Sequence, residues 1–327
     1  MLTSAILAAA VPTVIYSLLL WWLDRYEKEP LSLILIAFFW GAIPAIALAV
    51  LFELVLAVPV EQSPLGPNAT SWGLAPVIEE LLKAAALAGL FVWARNEFDG
   101  PLDGIVYGSL VGFGFSMTEN LLYFLAYPAA GNLFWVRGVL FGLNHAFFTS
   151  MVGLAFGAVR YRSTPLMQAM ALLAGLTLAI SFHAAHNFLT TSFQTAGLVS
   201  SWLVQSSGVL VVLAIAVLTW RHERRWLRDE LGEEVHAGII SADDYSDATS
   251  SAGRTRRQFQ ALLHGGLPCY RRTRRLHYLM TELAFCKSKI RLADRFQDCA
   301  AVERLRGEIS AVRASLGRDQ GLPVIQR

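Results

Sequence analysis

The chain has 327 residues, of which 55% are apolar and only 16% are charged, and its mean hydropathy is +0.47. Soluble domains carry about 25% charged residues, so this composition excludes an ordinary soluble protein and indicates an integral membrane protein. The charge is uneven: residues 1–220 hold 7 Lys/Arg and 11 Asp/Glu, whereas residues 221–327 hold 20 and 14. All three cysteines lie in the second part without CxxC spacing, so neither a disulfide framework nor a cysteine-based metal site is indicated.

Seven stretches have the roughly 20 mainly apolar residues that a transmembrane helix needs. The N-terminus lacks the basic region of a cleavable signal peptide, so we expect the first stretch to remain as a span. The second is long enough to tilt or kink and contains Pro44. The predicted fold class is an all-α polytopic transmembrane helix bundle of about seven spans, over residues 2–23, 31–58, 74–94, 102–127, 133–159, 166–190 and 198–220.

Basic residues in alternate loops predict the orientation, because Lys and Arg are enriched in cytoplasmic loops. Loops after spans 2, 4 and 6 contain no Lys or Arg. Arg137 is the exception, and it sits just inside span 5, where its side chain could snorkel outward. The N-terminus is therefore predicted outside and the C-terminus in the cytoplasm. The loops after spans 1, 3, 5 and 7 carry Arg25, Lys28, Arg95, Arg160, Arg162, Arg221, Arg224, Arg225 and Arg228.

Residues 221–327 are predicted to form a basic, helical cytoplasmic tail, with a flexible or turn-rich connector near 241–255. Apolar residues at helical spacing over 270–292 and 294–316 predict a helical hairpin. The run Arg271–Arg275 is interpreted first as a solvated basic face and second as a contact with anionic lipid or a partner.

Ionisable residues interrupt four of the apolar stretches. Such residues are costly in a bilayer and mark functional sites by default. With the orientation above and a rise of about 1.5 Å per residue, those on the four spans lie roughly 8–16 Å below the outer membrane surface. Convergence in depth predicts one shared polar site in the outer half of the membrane. Its candidate residues are Glu79, Glu80 and Lys83 on span 3, Glu119 on span 4, His145 on span 5, and His183 and Asn187 on span 6.

Paired carboxylates with two imidazoles suit the activation of water. A glutamate can act as general base, with Lys83 as a supporting counter-ion three and four residues along the same helix. Alternatively, Glu119, His145 and His183 could bind Zn²⁺, which lowers the pKa of bound water. Asn187 or a histidine could donate to a developing oxyanion. His186 is interpreted as a packing residue, and Glu53 as an interfacial one.

These residues also fall into recognisable motifs. Glu79–Lys83 reads EExxK, Phe115–Glu119 reads FxxxE, and His183–Asn187 reads HxxxN. Together with the stretch beginning at Asn144 and the loop over residues 24–30, they resemble the PrsW family of intramembrane proteases, which is related to the type II CAAX prenyl proteases. The resemblance covers about residues 15–220. CAAX proteases have FxxxH where this chain has FxxxE, which favours the PrsW branch.

The resemblance implies an endopeptidase in a prokaryotic cell membrane that cleaves a membrane-anchored protein, such as an anti-sigma factor, near the outer face. Its partners would be that substrate and the bilayer, without nucleic acid. Zn²⁺ is a candidate cofactor, but none is needed if the mechanism is glutamic. One alternative is a proton- or ion-coupled transporter or receptor with the same Glu/His relay, although no internal repeat of the kind common in transporters is present. Another is a non-catalytic scaffold, in which the Glu79/Glu80 pair would be dispensable. The substrate, scissile bond and oligomeric state stay open.

Overall fold

A computed structural model describes residues 1–23, 29–63, 68–95, 97–160, 164–293 and 299–319. These residues are almost entirely helical, which confirms the predicted all-α class. Arg25, Lys28, Arg162 and most of the 24–30 loop motif lie outside the described residues. The first eight helices are α1 (Leu2–Leu23), α2 (Leu31–Trp40), α3 (Ile46–Glu61), α4 (Ala75–Trp93), α5 (Pro101–Ala126), α6 (Asn144–Ala158), α7 (Pro165–Ser192) and α8 (Gln194–His236).

Among the described residues, five helical stretches are long and apolar enough to cross a membrane: Leu2–Trp21, Leu31–Glu61, Phe134–Ala158, Pro165–Ser192 and Gln194–His236. Helices α4 and α5 form where spans 3 and 4 were predicted, and α4 carries Glu79, Glu80 and Lys83. The count of seven spans stays a prediction.

Three short π-helical segments join or precede some of the first eight helices. Gly41–Ala45 contains Pro44 and lies between α2 and α3, at the position where a kink was expected. Thr70–Leu74 precedes α4, and Phe134–Leu140 precedes α6. π-Helical turns are rare and frequently lie at functional sites. Here one of them leads directly into α4 and another ends shortly before α6, and both of these helices carry candidate site residues.

Glycines let α5 approach α6 with backbone against backbone. A Cβ atom at Gly112 would overlap the His145 carbonyl, and Cβ atoms at Gly104 and Gly108 would overlap backbone atoms of Gly153 and Thr149. Such small-residue stripes permit close helix packing in membranes. The stripe therefore sets the position of the α6 backbone that carries His145.

The chain divides into two compact units, with residues 1–23 and 29–218 in the first and residues 219–293 and 299–319 in the second. The second contains the end of α8, then α9 (Ala242–Ala248), α10 (Ser251–Ala293) and α11 (Cys299–Asp319). Its core is apolar and includes Leu231, Leu279 and Ile309, each at most 1% exposed. The stretch 241–255, predicted as a connector, is largely helical, and α10 begins well before the predicted residue 270.

Candidate active site among the membrane helices

A cavity of about 560 Å³, with many polar residues in its wall, opens among the helices of the first unit. Five of the predicted site residues line it: Glu79, Glu119, His145, His183 and Asn187. Glu80 and Lys83 lie behind this wall and are 0% exposed. The residues predicted from separate spans are thus brought to one place.

Lys83 occupies the centre of the cluster. Its ammonium Nζ donates hydrogen bonds to Glu79 Oε2 at 3.0 Å and Glu80 Oε1 at 2.8 Å, and lies 3.0 Å from His145 Nδ1. It also lies 3.8 Å from the centroid of the Phe115 ring, a cation–π contact. Because an ammonium has three donors and no acceptor, His145 Nδ1 must accept, which leaves the His145 proton on Nε2.

Glu80 is enclosed by partners on both carboxylate oxygens. His183 Nδ1 lies 3.0 Å from Oε1, and Thr149 Oγ1 donates to Oε2 at 3.2 Å. Since Oε1 also accepts from Lys83, this carboxylate is held from three helices: α4, α6 and α7. Glu79, by contrast, keeps 8% of its side chain exposed toward the cavity.

Glu119 contacts the other nitrogen of His145. The distance from Glu119 Oε2 to His145 Nε2 is 2.8 Å, and Arg137 Nη2 lies 2.7 Å from the same oxygen. Arg137 also donates to Asn120 Oδ1 at 2.9 Å and stacks on Tyr123 at 3.7 Å. The guanidinium of Arg137 thus contacts a carboxylate on the cavity wall, and outward snorkelling of this side chain stays a prediction.

Asn187 and His186, neighbours on α7, have different hydrogen-bond partners. Asn187 Nδ2 donates to the Ser71 carbonyl at 2.8 Å and reaches the cavity wall. His186 Nδ1 lies 2.7 Å from Ser201 Oγ and 3.3 Å from Asn144 Nδ2, contacts of the packing kind expected for it, although its side chain also lines the cavity. Glu53, interpreted as interfacial, lines the same cavity.

The residue types of this cluster are ones that bind metal ions, and a bound ion would take the place of the Lys83 ammonium, which lies within 3.0 Å of Glu79, Glu80 and His145. One donor atom each from Glu79, Glu80, His145 and His183 can be chosen so that all four lie within 4.8 Å of one another. Two imidazoles and carboxylates are ligands that zinc accepts in proteins. Glu119, predicted as a ligand, is not in this group. Its contact with the outer nitrogen of His145 is instead the carboxylate–histidine arrangement that orients a ligating imidazole.

Comparison with known proteins assigns the family. A family model described as PrsW family intramembrane metalloprotease matches residues 29–220, more than half of the chain. The chain belongs to the PrsW family. The resemblance read from its motifs is confirmed, and with it the assignment to a family of intramembrane proteases. The match ends at residue 220, so the second unit lies almost wholly outside it.

Curated relatives named Protease PrsW support the assignment. The one from Shouchella clausii is 30% identical over 192 residues, 59% of this chain and 86% of the relative. The one from Bacillus subtilis is 27% identical over 192 residues, 58% of this chain and 81% of the relative. The one from Geobacillus kaustophilus is 33% identical over 138 residues, so the match spans 42% of this chain and 59% of that relative. No solved structure matches the chain.

Several residues of the site were missed from the sequence. Thr149 and Asn120 are uncharged residues in apolar helices, and their types alone carry no signal of a site. Arg137 had a signal, since a lone arginine inside a predicted span needs an anionic partner. Glu119, one helix away, was the available carboxylate.

Proposed function

We propose that this PrsW-family chain hydrolyses a peptide bond of a membrane-anchored protein near the outer face of a prokaryotic cell membrane, with an anti-sigma factor or similar regulator as the substrate class. The observation that carries the proposal is the clustering of Glu79, Glu80, His145 and His183 within 4.8 Å, beside a cavity of about 560 Å³. Carboxylates and imidazoles at this spacing suit acid–base chemistry on water and a carbonyl group.

Glu79 is the general base in this proposal, because its carboxylate borders the cavity where water and substrate can enter. It takes a proton from water as the water oxygen bonds to the carbonyl carbon. It then returns the proton to the amine nitrogen as the C–N bond breaks. Proton transfer by a positioned group of this kind contributes about 10²–10⁴-fold to rate.

Glu80 and Lys83 act as positioning residues in this proposal, because both are fully buried and their polar atoms are engaged by partners. Glu80 orients His183, and Glu119 orients His145. His183 and Asn187 lie on the cavity wall, where their donors can stabilise the developing oxyanion. If the mechanism is metal-dependent, Zn²⁺ held by Glu79, Glu80, His145 and His183 would polarise the carbonyl and the attacking water.

The proposal includes the arrangement in the membrane. Residues 1–220 form the protease core, and residues 221–327 form a cytoplasmic tail. The N-terminus lies outside, which is supported by the basic residues of the loops after spans 1, 3, 5 and 7. In that orientation the cavity faces the outer half of the bilayer.

Glu79→Gln and Glu80→Gln test the proposal, because glutamine keeps the shape of glutamate and loses its charge. Cells expressing each variant are compared with the wild type by quantifying new N-termini of membrane proteins by mass spectrometry. In both variants, we expect the amount of the fragments whose formation depends on this chain to fall by about 10²-fold or more. Glu97→Gln, an exposed acid outside the cavity, is the matched control. Unchanged fragments in both cluster variants would mean that these carboxylates are structural, and the proposal would fail.

A further inference from the structure

Helix α10 of the second unit is itself a hairpin. Gly266 has φ +66°, a conformation that glycine adopts readily, and Pro268 follows it. The two arms then run antiparallel: Arg254 Nη2 donates to Thr281 Oγ1 at 2.6 Å, and Gln258 Nε2 lies 3.3 Å from His277 Nδ1. Both pairs are centred between residues 267 and 268, so the chain reverses there.

The tip of this hairpin, residues 259–268, exposes large apolar side chains. Phe259 is 59% exposed and Leu263 is 64% exposed, and Leu262 and Leu267 are exposed as well. The arms behind the tip contribute to the buried core of the second unit through Leu276, at 3% exposure. The apolar side chains of the tip are thus left outside a core that is otherwise well formed.

The charge around the tip has one sign. Between residues 249 and 281 the chain has seven arginines and no aspartate or glutamate. Arg256, Arg271 and Arg274 are exposed on the two arms. Exposed leucine and phenylalanine next to arginine are the composition of segments that lie in a membrane interface. A soluble polyanion would pair with the arginines but would leave the leucines in water.

We propose that the tip of the α10 hairpin inserts into the headgroup region of an anionic lipid bilayer, with Phe259, Leu262, Leu263 and Leu267 among the acyl chains and Arg256, Arg271 and Arg274 on lipid phosphates. The second unit is tethered to the bilayer, because α8 continues without a break from a candidate membrane span into it. Each basic residue near an anionic surface strengthens binding by about fivefold. This inference is independent of the proposed proteolytic function.

The test uses the full chain in nanodiscs of phosphatidylcholine alone and in nanodiscs containing about one third phosphatidylglycerol. Hydrogen–deuterium exchange of residues 259–268 should be at least fivefold slower in the anionic discs. The triple variant Arg256→Gln/Arg271→Gln/Arg274→Gln should lose this protection, and so should Leu263→Asp. Arg304→Gln, an exposed arginine on α11, should keep it. Exchange over residues 276–285 reports that each variant has kept its core.

Equal exchange of the wild-type tip in the two lipids would overturn the inference, as would protection that survives in the triple variant. A further comparison adds an oligonucleotide or polyglutamate to phosphatidylcholine discs, to test for binding of a soluble polyanion. Protection of the tip by either polymer, matching that by phosphatidylglycerol, would assign the surface to a soluble polyanion and overturn the assignment to lipid.

Discussion

Replacement of Lys83 by methionine should strongly destabilise the first unit. The ammonium lies 3.0 Å from Glu79 Oε2, 2.8 Å from Glu80 Oε1 and 3.0 Å from His145 Nδ1, and its side chain is 0% exposed. Methionine has similar length and keeps the contact with Phe115. The destabilisation therefore reports the loss of the positive charge alone, because two carboxylates, one of them fully buried, remain without their common partner.

Breaking a buried ion pair by removing one partner costs about 3–5 kcal/mol. With about 2–4 °C of melting temperature per kcal/mol for a unit of this size, Lys83→Met should lower the melting temperature by about 6–20 °C. Thermal unfolding of purified protein in detergent measures this, with Arg95→Met, an exposed loop cation, as the matched control. The double variant Lys83→Met/Glu80→Gln should recover part of the loss, because one unpaired charge is removed.

A midpoint for Lys83→Met within about 2 °C of the wild type would refute this electrostatic account. Added Zn²⁺ provides a second check, since a divalent cation among the same donors takes the place of the ammonium. A ligand that binds only the folded state stabilises it by mass action. Zn²⁺ should therefore raise the melting temperature of Lys83→Met more than that of the wild type.

Three further predictions follow from other contacts. Arg137→Gln should lower proteolysis by about tenfold or more, because Arg137 holds the Glu119 carboxylate that orients His145, and Arg137→Lys should restore part of the activity. The assay of new N-termini described above measures this, and wild-type activity of Arg137→Gln would contradict it. Gly112→Val should lower the free energy of unfolding by about 1–3 kcal/mol, because the added side chain pushes α5 away from α6. Gly131→Ala, at a position with open space around it, should leave thermal unfolding unchanged. Burial, with repulsion from Arg254 second, lowers the pKa of His277 to about 4. The unfolded chain protonates His277 below about pH 6.5, so the free energy of unfolding of the second unit should fall by roughly 3 kcal/mol between pH 6.5 and 4. His277→Gln should show a smaller fall over that window when its unfolding is followed beside the wild type. An identical pH profile in the variant would contradict the assignment of this loss to His277.

Much of the architecture could be predicted from the sequence. Apolar runs of about 20 residues must become helices in a bilayer, because lipid offers no partner for backbone N–H and C=O groups. Charged residues on such helices must meet one another, because lipid leaves them no other partner. That is why Glu79, Glu80, His145 and His183 could be placed in one site from separate segments. The family was indicated separately, by the residue types and spacing of their motifs.

The direction of each side chain required the tertiary structure. Whether Glu79 or Glu80 faces the cavity depends on which sides of α4 pack against α6 and α7. Arg137 turns toward Glu119 because the π-helical segment before α6 lies beside α5. The reversal of α10 at Gly266 could likewise not be predicted from the sequence, because the helical spacing of apolar residues is the same in one long helix as in two antiparallel arms. Helical periodicity specifies a face along one helix, whereas the neighbour that covers that face is decided by the packing of the whole chain.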